Sequence, residues 1–529
     1  MIPDPIRQGL ARGWNVIDAA TLARDREIEA DVVVIGSGAG GGVTAEILAQ
    51  AGLAVVIVEE GPLASSSDFL MRERDAYPQL YQESAARQTL DKSITILQGR
   101  CVGGGTTVNW TSSFRTPPRT LAHWRDKHGL KTMAQATLDP WFDRMEERLG
   151  IGPWQVAPNE NNDILRRGAL KLGIASGAIR RNVRGCANLG YCGMGCPLNA
   201  KQSMLVTTIP AALDLGATLL HRARVTRLIV EGDRVIACEA HGVERNGAAP
   251  GKSRARIRAR HFVLAAGAIG SPALLLASRI ADPHLTIGRR TFLHPTVVSG
   301  AVMPGKVEGY YGAPQSIYSD HFLDNVALDG PAGFKLEAPP LHPILAGITL
   351  PGFGAEHARW MTRFPNLQVL IALMRDGFHA ESPGGSVVLR QDGWPVLDYS
   401  PSEYLWSGMR RAYLAMAEIQ FAAGAQSVMP LHEGAAPLAS WREARAAIEG
   451  LPMRALAARV VSAHVMGGCA MGNDPRASVV GENGRHHHVA NLSVHDGSVF
   501  PTSVGANPQL SIYAIAGRLA AGLARELKI

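Results

Sequence analysis

The stretch DVVVIGSGAGGGVTAEILAQAGLAVVIVEEG, starting at Asp31, constrains this chain more than any other. Val32 to Ile35 form an uninterrupted apolar run, which predicts a parallel strand covered on both faces. Gly36, Gly38 and Gly41 then give the spacing GxGxxG, with Ala39 inside the same turn. The first glycine permits the tight turn, the second lets the backbone approach a pyrophosphate, and the third lets the following helix pack on the strand. The pattern predicts a helix from about Gly41 to Ala51, closed by Gly52, whose N-terminal N–H groups face an anion. A second buried strand, Ala54 to Val58, leads to Glu59, 23 residues after Gly36, where an acid suits ribose hydroxyls. Strand, turn, helix and acid in this order predict a dinucleotide cradle, without separating NAD from FAD. The glycines also argue against a membrane span over Val32 to Val58, which hydropathy alone would suggest.

Composition sets the frame around that cradle. The chain has 529 residues, 46% hydrophobic and 19% charged, which excludes a disordered polymer and allows a large core. At roughly 150 residues per domain, two to four domains are expected. A formal charge of +7 carries little weight, because the densest basic run, Arg254 to Arg260, alternates with apolar residues like a solvated strand face. No basic stripe is interleaved with aromatics, so nucleic-acid binding is not expected. The first thirty residues lack an apolar run of signal-peptide length. A cytoplasmic protein is therefore expected, or one peripheral to a membrane.

Three further segments carry a resemblance. They are GRCVGGGTTVNW (Gly99 to Trp110), FVLAAGAIGSPALLLAS (Phe262 to Ser278), and SAHVMGGCAMG from Ser462, followed by NLSVHDGSVFPTSVGANPQLSIYAIAGRLA from Asn491. With the first cradle they resemble the glucose–methanol–choline (GMC) flavin oxidoreductases, from about Asp31 to the C-terminus. The HxxGGC…GxNP form is similar to that of sterol oxidases and long-chain alcohol oxidases. The resemblance implies FAD and an α/β fold: a Rossmann-like FAD-binding domain plus a substrate domain with an antiparallel sheet and helices, like p-hydroxybenzoate hydroxylase. It implies cofactor contacts at Gly103, Gly104, Thr106, Asn109, Val225, Ala266, Gly267, Asp496, Gly497, Asn507 and Pro508, besides Gly36, Gly38, Ala39, Gly41 and Glu59. Some family flavins are tethered through a histidine; here the matching position is Val108, so a non-covalent FAD is expected. Apolar periodicity from Pro508 to about Leu527 independently predicts a C-terminal helix whose N-terminus can stabilise negative charge.

Oxidising an alcohol needs a group to take the hydroxyl proton and geometry that aims the α-hydrogen. Among 17 histidines, the resemblance selects His464 as general base and Asn507 as the partner that hydrogen-bonds the substrate oxygen. Asn507 is also a good helix N-cap by type, and the two roles compete. The run His486 to His488 falls in a turn without further ligands at metal spacing and reads as a solvated loop. Glu337, a lone carboxylate in an apolar context, could assist as a second base or line the pocket, and stays outside the catalytic set.

Cys186, Cys192 and Cys196 lie within eleven positions, spaced C-x5-C-x3-C-P. Two readings stay open. Three close thiols among glycines suit an iron–sulfur cluster, and the spacing is similar to that of family sugar dehydrogenases with a three-iron [3Fe-4S] cluster. The segment also resembles one in long-chain alcohol oxidases, where the cysteines need hold no metal. Cys101, Cys238 and Cys469 read as inert core thiols.

The motifs are discontinuous, so the FAD-binding domain is expected from 28–150, 200–295 and 451–529, a cysteine-containing insertion at 151–199, and the substrate domain at 296–450. Within the last, Asp392-Gly393 predicts a hairpin turn and Ser402 to Ala423 a long helix. Pro339 to Phe378, apolar with few charges, reads either as the lining of a channel for an apolar alcohol or as sheet core. The expected function is FAD-dependent oxidation of a medium- or long-chain primary alcohol to the aldehyde, with oxygen or a redox partner such as a cytochrome or quinone as electron acceptor. The alternatives are an iron–sulfur sugar, polyol or sterol dehydrogenase, and a flavin electron-transfer or redox-sensing subunit. An apolar substrate and a basic surface also allow loose peripheral membrane contact.

Overall fold

The computed structural model describes residues 3–244, 247 and 250–528. Its first sheet has eight strands. Arg26–Ile35 lies at the centre, parallel to Val55–Val58 on one side and to Pro250–Leu264 on the other. Flanked by neighbours and covered on both faces, Val32, Val33 and Val34 are fully buried, as an all-apolar run requires. Thr218–His221 and Asn15–Asp18 extend the parallel edge, while Arg234–Val243 and Ala223–Glu231 add an antiparallel one. Leu492–Val494 joins Pro250–Leu264 in parallel, so segments far apart in sequence complete one sheet.

The helix after the first strand runs Ala39–Gln50, starting two residues before the expected Gly41. Its C-terminus meets Gly52, whose N–H donates to the carbonyl of Ala49 at 2.9 Å. The C-terminal helix, Gln509–Leu527, packs along it.

A second eight-stranded sheet stands opposite, mostly antiparallel. Thr296–Val302, Leu367–Met374 and Phe334–Glu337 form its middle. Strands Ile94–Ile96, Gly177–Ala178 and Val460–Ser462 join it from outside 296–450, because backbone pairing rather than chain order builds the sheet. The long helix Glu403–Ala422 packs behind it. A hairpin pairs Gly385–Leu389 with Pro395–Asp398 around Asp392-Gly393, within a smaller four-stranded sheet. Arg289–Leu293 and Val465–Gly467 complete that sheet and place the loops on either side of His464.

Strand Leu367–Met374 resolves the two readings of the apolar segment. Leu370, Ala372 and Met374 are 0% exposed and join the core beneath the long helix. Val369, Ile371 and Leu373 point the other way, into a separate apolar cluster with Leu341 and Leu431. Period-two alternation lets one strand serve a core on one face and a cavity wall on the other. No helix among the described residues is long and apolar enough to cross a membrane.

Candidate active site

A cavity of about 1260 Å³ lies between the glycine-rich cradle and the second sheet. At the cradle end it is lined by Gly36, Gly38, Ala39, Glu59, Gly104, Thr106, Val225, Ala266 and Gly267. Gly36 has φ +104°, and a Cβ there would strike the carbonyl of Ala265 at 2.3 Å, so the tight turn needs glycine. Two of the expected contacts act from behind the wall. A Cβ on Gly41 would meet the carbonyl oxygen of Gly36 at 1.9 Å, so its absence lets the helix close on the turn. The N–H of Gly103 donates to Ser37 Oγ at 3.0 Å.

This end suits a dinucleotide by its donors and acceptors. The first N–H groups of helix Ala39–Gln50 lack intrahelical acceptors, as in any α-helix, and no side chain caps them, so they face outward from its N-terminus. Glu59 accepts from Ser37 N–H (3.0 Å), Ser37 Oγ (2.6 Å) and Gly61 N–H (2.8 Å), which fixes the carboxylate at the wall and leaves lone pairs for hydroxyls. Burial raises its pKa, and those donors oppose the rise. Asp496 also lines the cavity, but its carboxylate is taken by Gly267 N–H (2.8 Å), Ser271 Oγ (2.6 Å) and Ser498 N–H (2.8 Å). It clamps the start of helix Gly267–Ala277 to the C-terminal segment. Val108 lines the wall with no atom able to bond a flavin, and Asn109 is held by Gln509 Oε1 at 2.7 Å.

Next to the cradle the wall continues with Gly497, Asn507, Pro508 and His464. Pro508 occupies the cap position of the C-terminal helix, and no side chain caps it. Asn507 is therefore not spent on the helix. Its Nδ2 lies 3.4 Å from Glu337 Oε2, and its buried Oδ1 has no hydrogen-bond partner. A buried acceptor without a donor costs roughly 1–3 kcal/mol, which a ligand hydroxyl would relieve. Glu337 is itself fully buried, and burial pushes its pKa up to about 7 despite the ammonium of Lys335. That lysine is 2% exposed, paired with Asp320 at 2.7 Å and set over the Phe114 ring at 3.7 Å.

His464 sits in the loop between Val460–Ser462 and Val465–Gly467, half-buried, with its open side on the cavity. Burial, and then the nearby Lys335 cation, pull its pKa down to about 4, so the ring is neutral near pH 7. Its Nδ1 lies 3.0 Å from Nδ1 of His294, and His294 Nε2 accepts from Gly505 N–H at 3.2 Å. Sequence reasoning missed His294. Its signal, a histidine before Pro295 at a strand break, does not stand out among 17 histidines.

The cysteines do not converge on a metal. Among the described residues, no three His, Cys, Asp or Glu side chains group closely enough to hold an ion, so nothing supports an iron–sulfur cluster on Cys186, Cys192 and Cys196. The segment braces the wall instead. Lys201 Nζ donates to the carbonyls of Cys192 (2.7 Å) and Asn109 (2.9 Å), and Gly193 and Met194 line the cavity. Cys192 Sγ lies 3.9 Å from Arg181 Nη2, so backbone carbonyls and a thiol share these two buried cations. His486 to His488 likewise belong to no such group.

The remaining wall is apolar: Leu341, then Ile344, Leu345 and Ile348 from helix Pro343–Thr349, Trp360, the strand residues Val369, Ile371 and Leu373, and Leu431 just past strand Ser427–Pro430.

Comparison with known proteins gives one answer. Residues 77–296 and 382–516 match the N- and C-terminal parts of GMC oxidoreductase. An uncharacterized GMC-type oxidoreductase of Mycobacterium tuberculosis H37Rv is 32% identical over 92% of this chain and 74% of its own. A long-chain-alcohol oxidase of Arabidopsis thaliana is 28% identical over 93% and 68%. Pyridoxine 4-oxidase from Mesorbium loti shares the fold with a TM-score of 0.66 at 20% identity, covering 93% of this chain and 98% of its own. Formate oxidase of Aspergillus oryzae does so with 0.67 at 15%, covering 96% and 100%.

Proposed function

The chain belongs to the GMC oxidoreductase family, which acts on CH–OH donors and typically carries FAD, and from that premise we propose that it oxidises apolar, medium- or long-chain primary alcohols to aldehydes. One observation carries the reading: His464 and an unpartnered Asn507 Oδ1 stand where the glycine cradle meets an apolar wall. A pure electron carrier has no use for an acceptor waiting to be satisfied beside its cofactor. The long-chain-alcohol oxidases among the relatives agree with the apolar wall.

When bound, FAD would supply the acceptor for the hydride that leaves the alcohol's α-carbon. In this reading the N–H groups of Gly38 to Gly40 would hold its pyrophosphate and Glu59 its ribose, without a covalent bond to the protein. The helix Gln509–Leu527 directs its N-terminal dipole at the far end of the site, where negative charge develops. The hydrocarbon tail lies along Leu341, Ile371 and Leu373, where burial is worth about 0.8 kcal/mol per methylene. The hydroxyl meets Asn507 Oδ1, which accepts its O–H, and His464 Nε2, the ring nitrogen without a protein partner among the described residues. Glu337 lies behind Asn507, off the cavity lining; it accepts from Asn507 Nδ2 (3.4 Å) and so turns Oδ1 toward the hydroxyl, whose proton passes to water in the open cavity. Oxygen or an external redox partner would be the final electron acceptor.

The test is FAD-loaded His464→Ala mixed anaerobically with 1-dodecanol. Losing a polar group at the reacting oxygen should slow bleaching of the flavin by about 100-fold or more while FAD stays bound. Bleaching at the wild-type rate would remove His464 from the site's chemistry.

A further inference from the structure

We propose that His294 is a positioning residue that fixes His464 in one tautomer, with its proton on Nε2 facing the cavity. The argument is hydrogen-bond bookkeeping along a three-member chain. A backbone N–H can only donate, so the 3.2 Å contact from Gly505 N to His294 Nε2 makes that nitrogen a bare acceptor. A neutral imidazole has one proton, which in His294 must then sit on Nδ1. Nδ1 of His464 lies 3.0 Å away, and the two rings meet at 88°, edge to face. The His294 proton occupies that contact, so His464 Nδ1 accepts. The single proton of His464 is left on Nε2.

The other protonation states fail on the same contacts. A proton on His464 Nδ1 would face one on His294 Nδ1, unless His294 moved its own to Nε2 and pointed it at the N–H of Gly505. Burial, with Lys335 nearby, lowers the pKa of both rings well below the usual value, which opposes a doubly protonated ring. Neither end of the lock is loose. Thr296 Oγ1 donates to the carbonyl of His294 (2.8 Å), and Leu293 N–H donates to Asp376 (3.3 Å). The loop bearing Gly505 is pinned by Thr120 to the carbonyl of Val504 (2.9 Å) and by Ser503 to the N–H of Asp376 (3.0 Å).

The consequence, which rests on the alcohol-oxidising reading above, differs from the base role that the family resemblance implies. His464 meets the substrate as a donor, stabilising charge on its oxygen as the proton leaves. The tautomer itself is a property of this chain and is measured without substrate.

The experiment is two-bond ¹H–¹⁵N correlation on FAD-loaded protein with ¹⁵N-histidine, with His464 assigned through His464→Gln. The expected result is a protonated, pyrrole-type Nε2 and a bare, pyridine-type Nδ1 at pH 7. In His294→Asp, whose carboxylate can only accept, the two signals should exchange; His294→Asn, which can again present an N–H donor, should restore the wild-type pattern. Wild-type His464 carrying its proton on Nδ1 would overturn the proposal, and so would a His294→Asp spectrum identical to wild type. Should a variant fail to yield folded holoenzyme, the wild-type spectrum decides alone. A protonated Nε2 in a protein whose flavin no alcohol bleaches would leave this proposal standing and sink the alcohol reading instead.

Discussion

Glu337 shows how much one buried side chain can dictate. Burial raises its pKa from 4.5 to about 7, so the folded state holds a proton that the unfolded chain has released. Folding takes up that proton between those two values, and stability falls as pH rises through the window. The stabilisation is fully present below 4.5 and lost above about 7, on the order of 3 kcal/mol. Glu337→Gln cannot ionise. Its melting temperature relative to wild type should therefore be higher at pH 8 than at pH 5; a difference that stays constant with pH contradicts the raised pKa. His464 and Asn507 were legible because motifs carry them. His294 was not, since its bonds reach His464 and Gly505 across 170 and 211 residues, a relation no local pattern encodes.

At the scale of elements, the strand–turn–helix cradle makes two glycines separable by experiment. Gly41→Ala would drive a Cβ to 1.9 Å from the backbone oxygen of Gly36, which cannot rotate away. It should destabilise the fold by about 3 kcal/mol, read as a fall in melting temperature. A Cβ on Gly38 finds no protein atom nearer than 3.9 Å, but it enters the cavity wall. Gly38→Ala should keep the fold and bind FAD at least about tenfold more weakly, read by flavin titration. Equal effects of the two would break the distinction between packing glycine and contact glycine. The cradle was readable because strand, turn and helix are consecutive. The second sheet was readable only in part. Its edge strands at 94–96 and 177–178 are two or three residues long and carry no period of their own. The cysteine segment left two readings open for a related reason: spacing along the chain does not report whether side chains converge in space.

For the whole molecule, the decisive feature is one cavity shared by two kinds of wall. Backbone donors and a carboxylate at one end suit a dinucleotide, and an apolar sheet face at the other suits hydrocarbon. His464 and Asn507 both line that cavity, with Glu337 buried behind Asn507. A sugar would leave its hydroxyls facing Ile371, Leu373 and Leu431 without partners, whereas an alkyl chain would bury against them. The most direct test is the absorption spectrum of the FAD-loaded protein, recorded without oxygen before and after adding 1-dodecanol or glucose. Flavin bands that bleach with 1-dodecanol and persist with glucose are the predicted result. Bleaching by glucose alone, or by neither compound, would contradict it.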